Sequence, residues 1–143
     1  LDDMLAYAYF ELPPPKSTGL EDFNLEWLAQ FHPERHAAAD VQATLAELTA
    51  RSVTDSIRRS APHTKELYVC GGGAHNRDLL ERLARHLPKI SLGTTEVVGL
   101  DPDWVEAVAF AWLAMRTMNK EPGNLPSVTG ASSKVVLGEI HSP

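Results

Sequence analysis

The stretch Leu67-Tyr68-Val69-Cys70-Gly71-Gly72-Gly73-Ala74-His75-Asn76 decides the fold, because an apolar run breaks into three glycines just before a helical pattern begins. Glycine has no Cβ, so it reaches positive φ and lets backbone N–H groups approach a ligand closely. The helix that follows adds unpaired N–H groups and the positive end of its dipole. The stretch predicts a phosphate or nucleotide cradle, in which Asn76 caps the helix or contacts the ligand, or else a tight strand-to-helix corner.

The composition of the 143 residues is that of one globular domain, with 43% hydrophobic and 22% charged residues. The formal net charge is -6 and no long basic block occurs, so we expect no nucleic-acid partner. No run approaches the ~18 apolar residues that span a membrane, so no membrane partner is expected either. The single cysteine, Cys70, excludes an intramolecular disulfide, and its position at the end of a strand predicts a small buried hydrophobe.

The amino end combines a helical pattern with a stiff connector. Residues 1–10 read as a helix already under way at Leu1, so we expect a piece of a longer protein. Three prolines then restrict the backbone of residues 13–19. That segment contains Lys16-Ser17-Thr18, the residue types of a phosphate loop, but it lacks the glycines of a Walker A motif. A structural connector is therefore the favoured interpretation.

Two amphipathic helices are predicted before the first strand. Residues 22–31 place aromatic and leucine side chains at helical spacing. Asp40 is the expected N-cap of a longer helix over residues 41 to about 60. His32 and His36 lie between these helices, but no cysteine or carboxylate cluster completes a zinc site, so we predict no metal ligands.

The second half of the chain predicts further helices and strands. Residues 79–87 carry leucines at helical spacing, Ile90-Ser91-Leu92 is a short strand candidate, and residues 134–138 are a candidate closing strand. Asp101-Pro102-Asp103 is a good start for a helix over residues 104–115, which is apolar on every face and therefore predicted to be buried. A long helix followed by a strand and another helix is the order of an α/β layer structure.

Glu106 is the only charged residue of that apolar helix. A carboxylate in apolar surroundings needs a basic partner, hydrogen-bond donors or a cleft. In the first turn it can pair with the N-terminus of its own helix, or it can face a ligand. The residues alone leave both interpretations open.

Four blocks of sequence together resemble the carboxy-terminal part of the anhydro-N-acetylmuramic acid kinases. They occur in the order of that family and extend over nearly the whole chain. The blocks are Pro-Pro-Pro-Lys-Ser-Thr-Gly at residues 13–19, Val-Cys-Gly-Gly-Gly-Ala-His-Asn at residues 69–76, Glu-Ala-Val-Ala-Phe-Ala-Trp-Leu-Ala at residues 106–114, and Pro-Gly-Asn-Leu-Pro-Ser-Val-Thr-Gly-Ala at residues 122–131.

The resemblance implies an α/β fold of the sugar kinase and actin-like ATPase superfamily, in which a ribonuclease-H-like second lobe has a mixed sheet flanked by helices. Residues 1–143 would form that carboxy-terminal lobe, with a helix and connector over residues 1–19 and the α/β core over residues 20–143. The family opens the 1,6-anhydro ring of anhydro-N-acetylmuramic acid with water and phosphorylates O6 from ATP with Mg²⁺. The product is N-acetylmuramic acid 6-phosphate, in cytoplasmic recycling of bacterial peptidoglycan.

The resemblance also implies site residues. The family's adenosine contact maps onto Gly71, Gly72, Gly73 and Asn76, and its sugar-side glutamate maps onto Glu106. The family's amino-terminal Gly-Thr-Ser-x-Asp-Gly phosphate loop and its general-base aspartate have no counterpart in this sequence. Phosphoryl transfer needs the phosphates and the nucleophile to be held together, so the chain alone is expected to be inactive without the missing amino-terminal lobe.

Two other interpretations remain open. A Rossmann dinucleotide-binding unit would have glycine or alanine in place of Asn76 and an acidic residue about twenty positions later, where Glu96 stands. That interpretation does not explain the other three blocks. Alternatively, the chain is a nucleotide-binding or interaction module without catalysis, whose apolar face pairs with the missing lobe or with a second copy in a homodimer.

Overall fold

A computed structural model of the chain describes residues 1–141 as helices around a small parallel sheet. In chain order the helices and strands are α1 (Asp2–Leu5), α2 (Ala8–Glu11), α3 (Leu25–Ala29), α4 (Ala38–Ser60), β1 (Glu66–Val69), α5 (Arg77–His86), β2 (Ser91–Thr94), α6 (Val105–Met118) and α7 (Pro126–Thr129). Short 3₁₀ turns cover Pro33–Arg35, Gly71–His75, Thr95–Val98 and Pro102–Trp104. Gly71–His75 is called the glycine turn below, and Pro102–Trp104 the Pro102 turn.

Strands β1 and β2 form the sheet and run parallel, with Glu66 opposite Ser91 and Val69 opposite Thr94. Parallel strands cannot be joined by a tight hairpin, and here α5 makes the connection between them. The predicted α/β class and the strand–turn–helix order are confirmed. Within residues 1–141 the sheet has two strands, so the mixed sheet of a ribonuclease-H-like lobe remains an expectation.

The predicted closing strand over residues 134–138 does not form. The backbone N–H of Val135 donates to Asn124 Oδ1 at 2.7 Å, and the carbonyl of Val135 accepts from Gly123 N at 3.1 Å. These bonds tie the segment to the preceding loop, so the groups that a sheet ladder would need are already used.

Helix α4 begins at Ala38 and not beyond Asp40, so the predicted N-cap is wrong. Ala37 occupies the cap position and provides no side-chain hydrogen bond. Asp40 lies in the first turn, where a negative charge interacts favourably with the helix dipole. The acidic residue therefore marks the helix start by its charge and not by capping.

A hydrophobic cluster that contains several aromatic rings packs the amino end of the chain against α4. Its buried members are Met4, Trp27 and Leu48. The single helix predicted for residues 1–10 is broken into α1 and α2 at Tyr7, which has an extended backbone. This break brings the ring of Tyr7 to 6.0 Å from Trp27 in an edge-on arrangement, the favoured geometry for aromatic pairs. Tertiary packing thus overrides the helical pattern.

Helix α5 packs on α4 through an apolar contact and an ion pair network. Leu83 is only 3% exposed. Glu47 of α4 accepts hydrogen bonds from Arg82 Nη1 at 2.7 Å and from His86 Nε2 at 2.5 Å. The bond from Arg82, followed by that from His86, lowers the pKa of the Glu47 carboxyl. The network therefore holds Glu47 in its charged form.

The prediction that the apolar helix is buried is wrong for the described residues. No residue of α6 is buried, and Phe110 and Trp112 are 63% and 48% exposed. Helix α6 follows directly after the Pro102 turn in the chain. Residues 1–141 provide no second layer to cover its remaining faces. None of the helices over these residues is long and apolar enough to cross a membrane.

We expect Leu83→Ala to lower the free energy of unfolding by about 2–5 kcal/mol, because Leu83 is only 3% exposed and its truncation leaves a cavity. Urea denaturation of the purified protein measures this change. Leu20→Ala is the matched control, since Leu20 is 84% exposed, and it should change stability by less than about 0.5 kcal/mol. Equal losses in the two variants would contradict the packing described here.

Asn76→Ala should cost about 1 kcal/mol of stability, because Asn76 Oδ1 accepts a hydrogen bond from Leu79 N and so caps α5. Asn76→Asp keeps an acceptor at the same position and should remain close to the wild type in thermal melting. If the aspartate variant lost as much stability as the alanine variant, the capping role would be wrong.

Candidate functional site

The candidate site lies at the edge of the sheet where β1 and β2 both end. Strand β1 leads into the glycine turn, and β2 leads into the Thr95–Val98 turn. Because the strands are parallel, both turns leave from their carboxyl ends. Ligands of open α/β sheets bind in the crevice outside these ends. The glycines singled out in the sequence thus stand where such a ligand would bind.

The backbone of the glycine turn is open on one side. Gly71 has a φ of +63°, which side-chain-bearing residues rarely adopt. A Cβ added at Gly71 or Gly72 would meet no atom within 4 Å. At Gly73 an added Cβ would lie 3.7 Å from Leu79 Cδ2 and 3.8 Å from Val69 Cγ1, so this position faces the protein. The first two glycines therefore present bare backbone to the surroundings.

Asn76 closes the glycine turn and starts α5. Its Oδ1 accepts from Leu79 N at 3.1 Å, so the predicted capping role is confirmed. Capping uses the side-chain oxygen alone, and an asparagine also carries two donors on its Nδ2 atom. The role of Asn76 as a ligand contact stays a prediction and is compatible with capping.

Cys70 is exposed, so the prediction of a buried hydrophobe is wrong. The residues of β1 alternate between exposed and half-buried, and Val69 is half-buried. Side chains of a strand point to opposite faces in turn, so Cys70 falls on the exposed face. An apolar run in the sequence does not show which face of a sheet is packed against other elements. Cys70 is exposed because no other element of residues 1–141 covers its face of the sheet.

The Pro102 turn begins as the sequence predicts. Asp101 Oδ1 accepts from Asp103 N at 2.9 Å, which caps the turn that leads into α6. Glu106 lies in the first turn of α6 and is exposed. The burial predicted for its helix does not hold at Glu106, so this carboxylate needs no buried partner. Its interaction with the helix dipole and its role at a ligand both remain predictions.

A side-chain pair joins the two turns. His75 Nε2 lies 2.8 Å from Asp103 Oδ1. The hydrogen bond with Asp103, followed by the charge of Asp103, raises the pKa of the His75 imidazole, and Asp101 adds to the effect. The sequence analysis missed this pair, because no periodicity links residues that are 28 positions apart.

Thr95 is a second site feature that the sequence analysis missed. Its Oγ1 is buried and has no hydrogen-bond partner within residues 1–141. Buried hydroxyls normally find a partner, so this group is an exception that needs an explanation. Thr95 directly follows β2 and thus lies at the same carboxyl edge of the sheet as the glycine turn. A threonine after a strand gives no distinctive sequence signal.

The connector does not form a phosphate loop within the described residues. Lys16 Nζ donates to the carbonyls of Tyr9 and Phe10 at 2.8 and 3.2 Å. Thr18 Oγ1 donates to Asp22 Oδ2 at 2.7 Å. These bonds tie the connector to its neighbours and support its structural role, which stays a prediction. Residues 1–141 contain no group of three or more His, Cys, Asp or Glu side chains placed to hold a metal ion.

Comparison with known proteins identifies the family of the chain. A family model described as "Anhydro-N-acetylmuramic acid kinase" matches residues 1–143. Proteins of the same name from Saccharophagus degradans, Nitrosomonas europaea and Xylella fastidiosa are 52%, 50% and 53% identical and cover 100%, 99% and 99% of the chain. The chain spans 39%, 39% and 36% of the length of these relatives. The chain therefore belongs to the anhydro-N-acetylmuramic acid kinase family.

Proposed function

We propose that this chain is the carboxy-terminal lobe of an ATP-dependent kinase. The kinase hydrolyses the 1,6-anhydro bond of anhydro-N-acetylmuramic acid and phosphorylates O6, which gives N-acetylmuramic acid 6-phosphate. The observation that carries the proposal is the open glycine turn at the carboxyl edge of the parallel strands, in a chain of this family. The chain supplies the adenosine side of the cleft, and an amino-terminal lobe supplies the rest.

The nucleotide contact is assigned to Gly71, Gly72 and Gly73, with Asn76 at their end. The open space beside Gly71 and Gly72 supports this assignment, because a flat adenosine can approach backbone that no Cβ shields. The N-terminus of α5 adds unpaired N–H groups next to the same turn. Both features favour a ligand with hydrogen-bond acceptors.

Mg²⁺ and the transferred phosphate belong to the other lobe in this proposal. Mg²⁺ bridges phosphate oxygens and neutralises their charge in phosphoryl transfer. Within residues 1–141, His, Cys, Asp and Glu side chains do not form a group of three that could hold a metal ion. We assign the metal contacts to ATP itself and to the amino-terminal lobe.

Glu106 is assigned to the sugar. It is exposed in the first turn of α6, directly after the Pro102 turn that packs against the glycine turn. An exposed carboxylate accepts hydrogen bonds from sugar hydroxyls without first breaking a buried ion pair. Its position thus supports a role in binding the substrate that receives the phosphate.

The finer fold assignment is part of the proposal. The β1–α5–β2 unit with its ligand edge is compatible with a ribonuclease-H-like lobe in which residues 20–143 form the core and residues 1–19 a helix and connector. A cytoplasmic location, which the resemblance implies, belongs to the proposal as well.

The second candidate function is an interaction module without catalysis. The exposed apolar side chains of α6, with Phe110 at 63%, Trp112 at 48% and Met118 at 68%, favour a partner surface. The amino-terminal lobe and a second copy in a homodimer are the two candidates. Light scattering at several concentrations separates a stable dimer from a monomer.

We expect the full-length protein that contains this chain to convert anhydro-N-acetylmuramic acid and ATP into the 6-phosphate. Mass spectrometry detects the product, and ¹⁸O-labelled water should place one heavy oxygen in it. Gly72→Ala should raise KM for ATP about tenfold, equivalent to ~1.4 kcal/mol, because the added methyl group projects into the open space that the nucleotide would fill. The chain of residues 1–143 alone should show no turnover.

Gly73→Ala is the matched control, since its methyl group would make ordinary contacts with Leu79 and Val69 inside the protein. We expect a smaller effect on KM for ATP and similar melting temperatures for both variants. The absence of any phosphorylated sugar with the full-length protein would refute the kinase assignment. A KM for ATP in Gly72→Ala equal to that of the wild type would refute the nucleotide contact at Gly72.

A further inference from the structure

The helix that carries Glu106 is connected to the nucleotide edge through two short turns. Helix α6 follows directly after the Pro102 turn in the chain, and that turn packs most extensively against the glycine turn. Each turn contributes one buried residue, Pro102 in one and Ala74 in the other. The position of Glu106 relative to the glycines is therefore set at the junction of these turns.

The junction contains one side-chain hydrogen bond, between His75 Nε2 and Asp103 Oδ1 at 2.8 Å. Each partner lies at or next to a residue that takes part in a capping hydrogen bond. Asp103 N donates to Asp101 Oδ1, and His75 precedes Asn76, which caps α5. A bond between two such anchored segments transmits a displacement of one segment to the other.

We propose that the His75–Asp103 pair is a positioning latch that couples nucleotide binding at the glycine turn to the placement of Glu106 against the sugar. This inference rests on the proposed function and adds a residue pair to it. Neither partner needs to touch the reacting atoms. The pair acts because a nucleotide on the glycine turn fixes His75, which in turn fixes Asp103 and the first turn of α6.

The exposure of the pair distinguishes this role from a purely stabilising one. The side chains of His75 and Asp103 are 63% and 58% exposed. Exposed ion pairs contribute little to folding stability. Coupling between two sites requires only that the contact differs between ligand states. Breaking the latch should therefore change ligand coupling much more than it changes the melting temperature.

The latch should depend on pH. Asp103 and Asp101 are the charged groups that act on His75 from the Pro102 turn and its cap, and together they raise the pKa of His75. On α5, which also packs against the glycine turn, Arg77 and Asp78 are paired with Glu81 and Arg82. The charged form of the latch is fully present below the unfolded pKa of histidine and is lost as the pH rises through the raised pKa.

The test measures the affinity of ADP for the full-length protein by calorimetry, with and without anhydro-N-acetylmuramic acid. In the wild type at pH 6, the sugar should tighten ADP binding at least about fivefold, the lower end of typical coupling. His75→Ala and Asp103→Asn should each reduce this factor to near one. Combining the two substitutions should not reduce the factor further. The affinity for each ligand alone should stay within about twofold, since a coupling contact is not a binding contact.

His75→Arg should restore the coupling, because a guanidinium donates to the same carboxylate and stays charged at all relevant pH values. It should also abolish the decline in coupling that the wild type shows as the pH rises through the raised pKa of His75. A purely structural role would not produce this pH-independent rescue.

The control variant removes another exposed histidine–carboxylate pair, that of His32 Nδ1 and Glu34 Oε1 at 3.3 Å. His32→Ala should leave the coupling factor unchanged. If the wild type binds both ligands and the latch variants keep its coupling, the latch is refuted and the proposed function stands. If the variants lose stability and both single-ligand affinities together, the pair is structural. A wild type that binds neither ligand refutes the proposed function and the latch with it.

Discussion

Parallel pairing of β1 with β2 is the constraint on which the rest of the site depends. It requires a crossover, and α5 must therefore begin close to the end of β1. The sharp change of direction falls on Gly71, whose φ of +63° explains why a glycine stands there. The same pairing places the Thr95–Val98 turn at the same edge. The position of the candidate site and the helix N-terminus beside it are thus consequences of strand direction.

The exposed apolar surface of α6 can be understood from the fraction of its relatives' length that the chain spans. The chain spans 39% of the length of its relative from Saccharophagus degradans. An apolar helix with Phe110 at 63% exposure is costly to leave in water, and such surfaces mark interaction sites. Our proposal of an amino-terminal lobe gives this surface a partner and also supplies the phosphate-binding half of the cleft.

Turns and helix caps were predictable from the sequence, whereas burial and long-range side-chain pairing were not. The glycine turn, the cap at Asn76 and the start at Asp101 depend on residues within a few positions of one another. The exposure of Cys70 was not predictable, because the sequence of a strand does not show which layers pack on its two faces. The His75–Asp103 pair gave no signal at all, since its partners are 28 positions apart and lie in two different turns. The roles of Gly71–Gly73 and Glu106 at ligands remain predictions.

The central claim is that the open side of the glycine turn contacts the nucleotide. A crystal structure of the full-length protein with a non-hydrolysable ATP analogue tests it most directly. The account predicts adenosine atoms within about 4 Å of the backbone of Gly71 and Gly72, the distance of van der Waals contact. An analogue bound elsewhere, with the glycine turn left open to solvent, would contradict it.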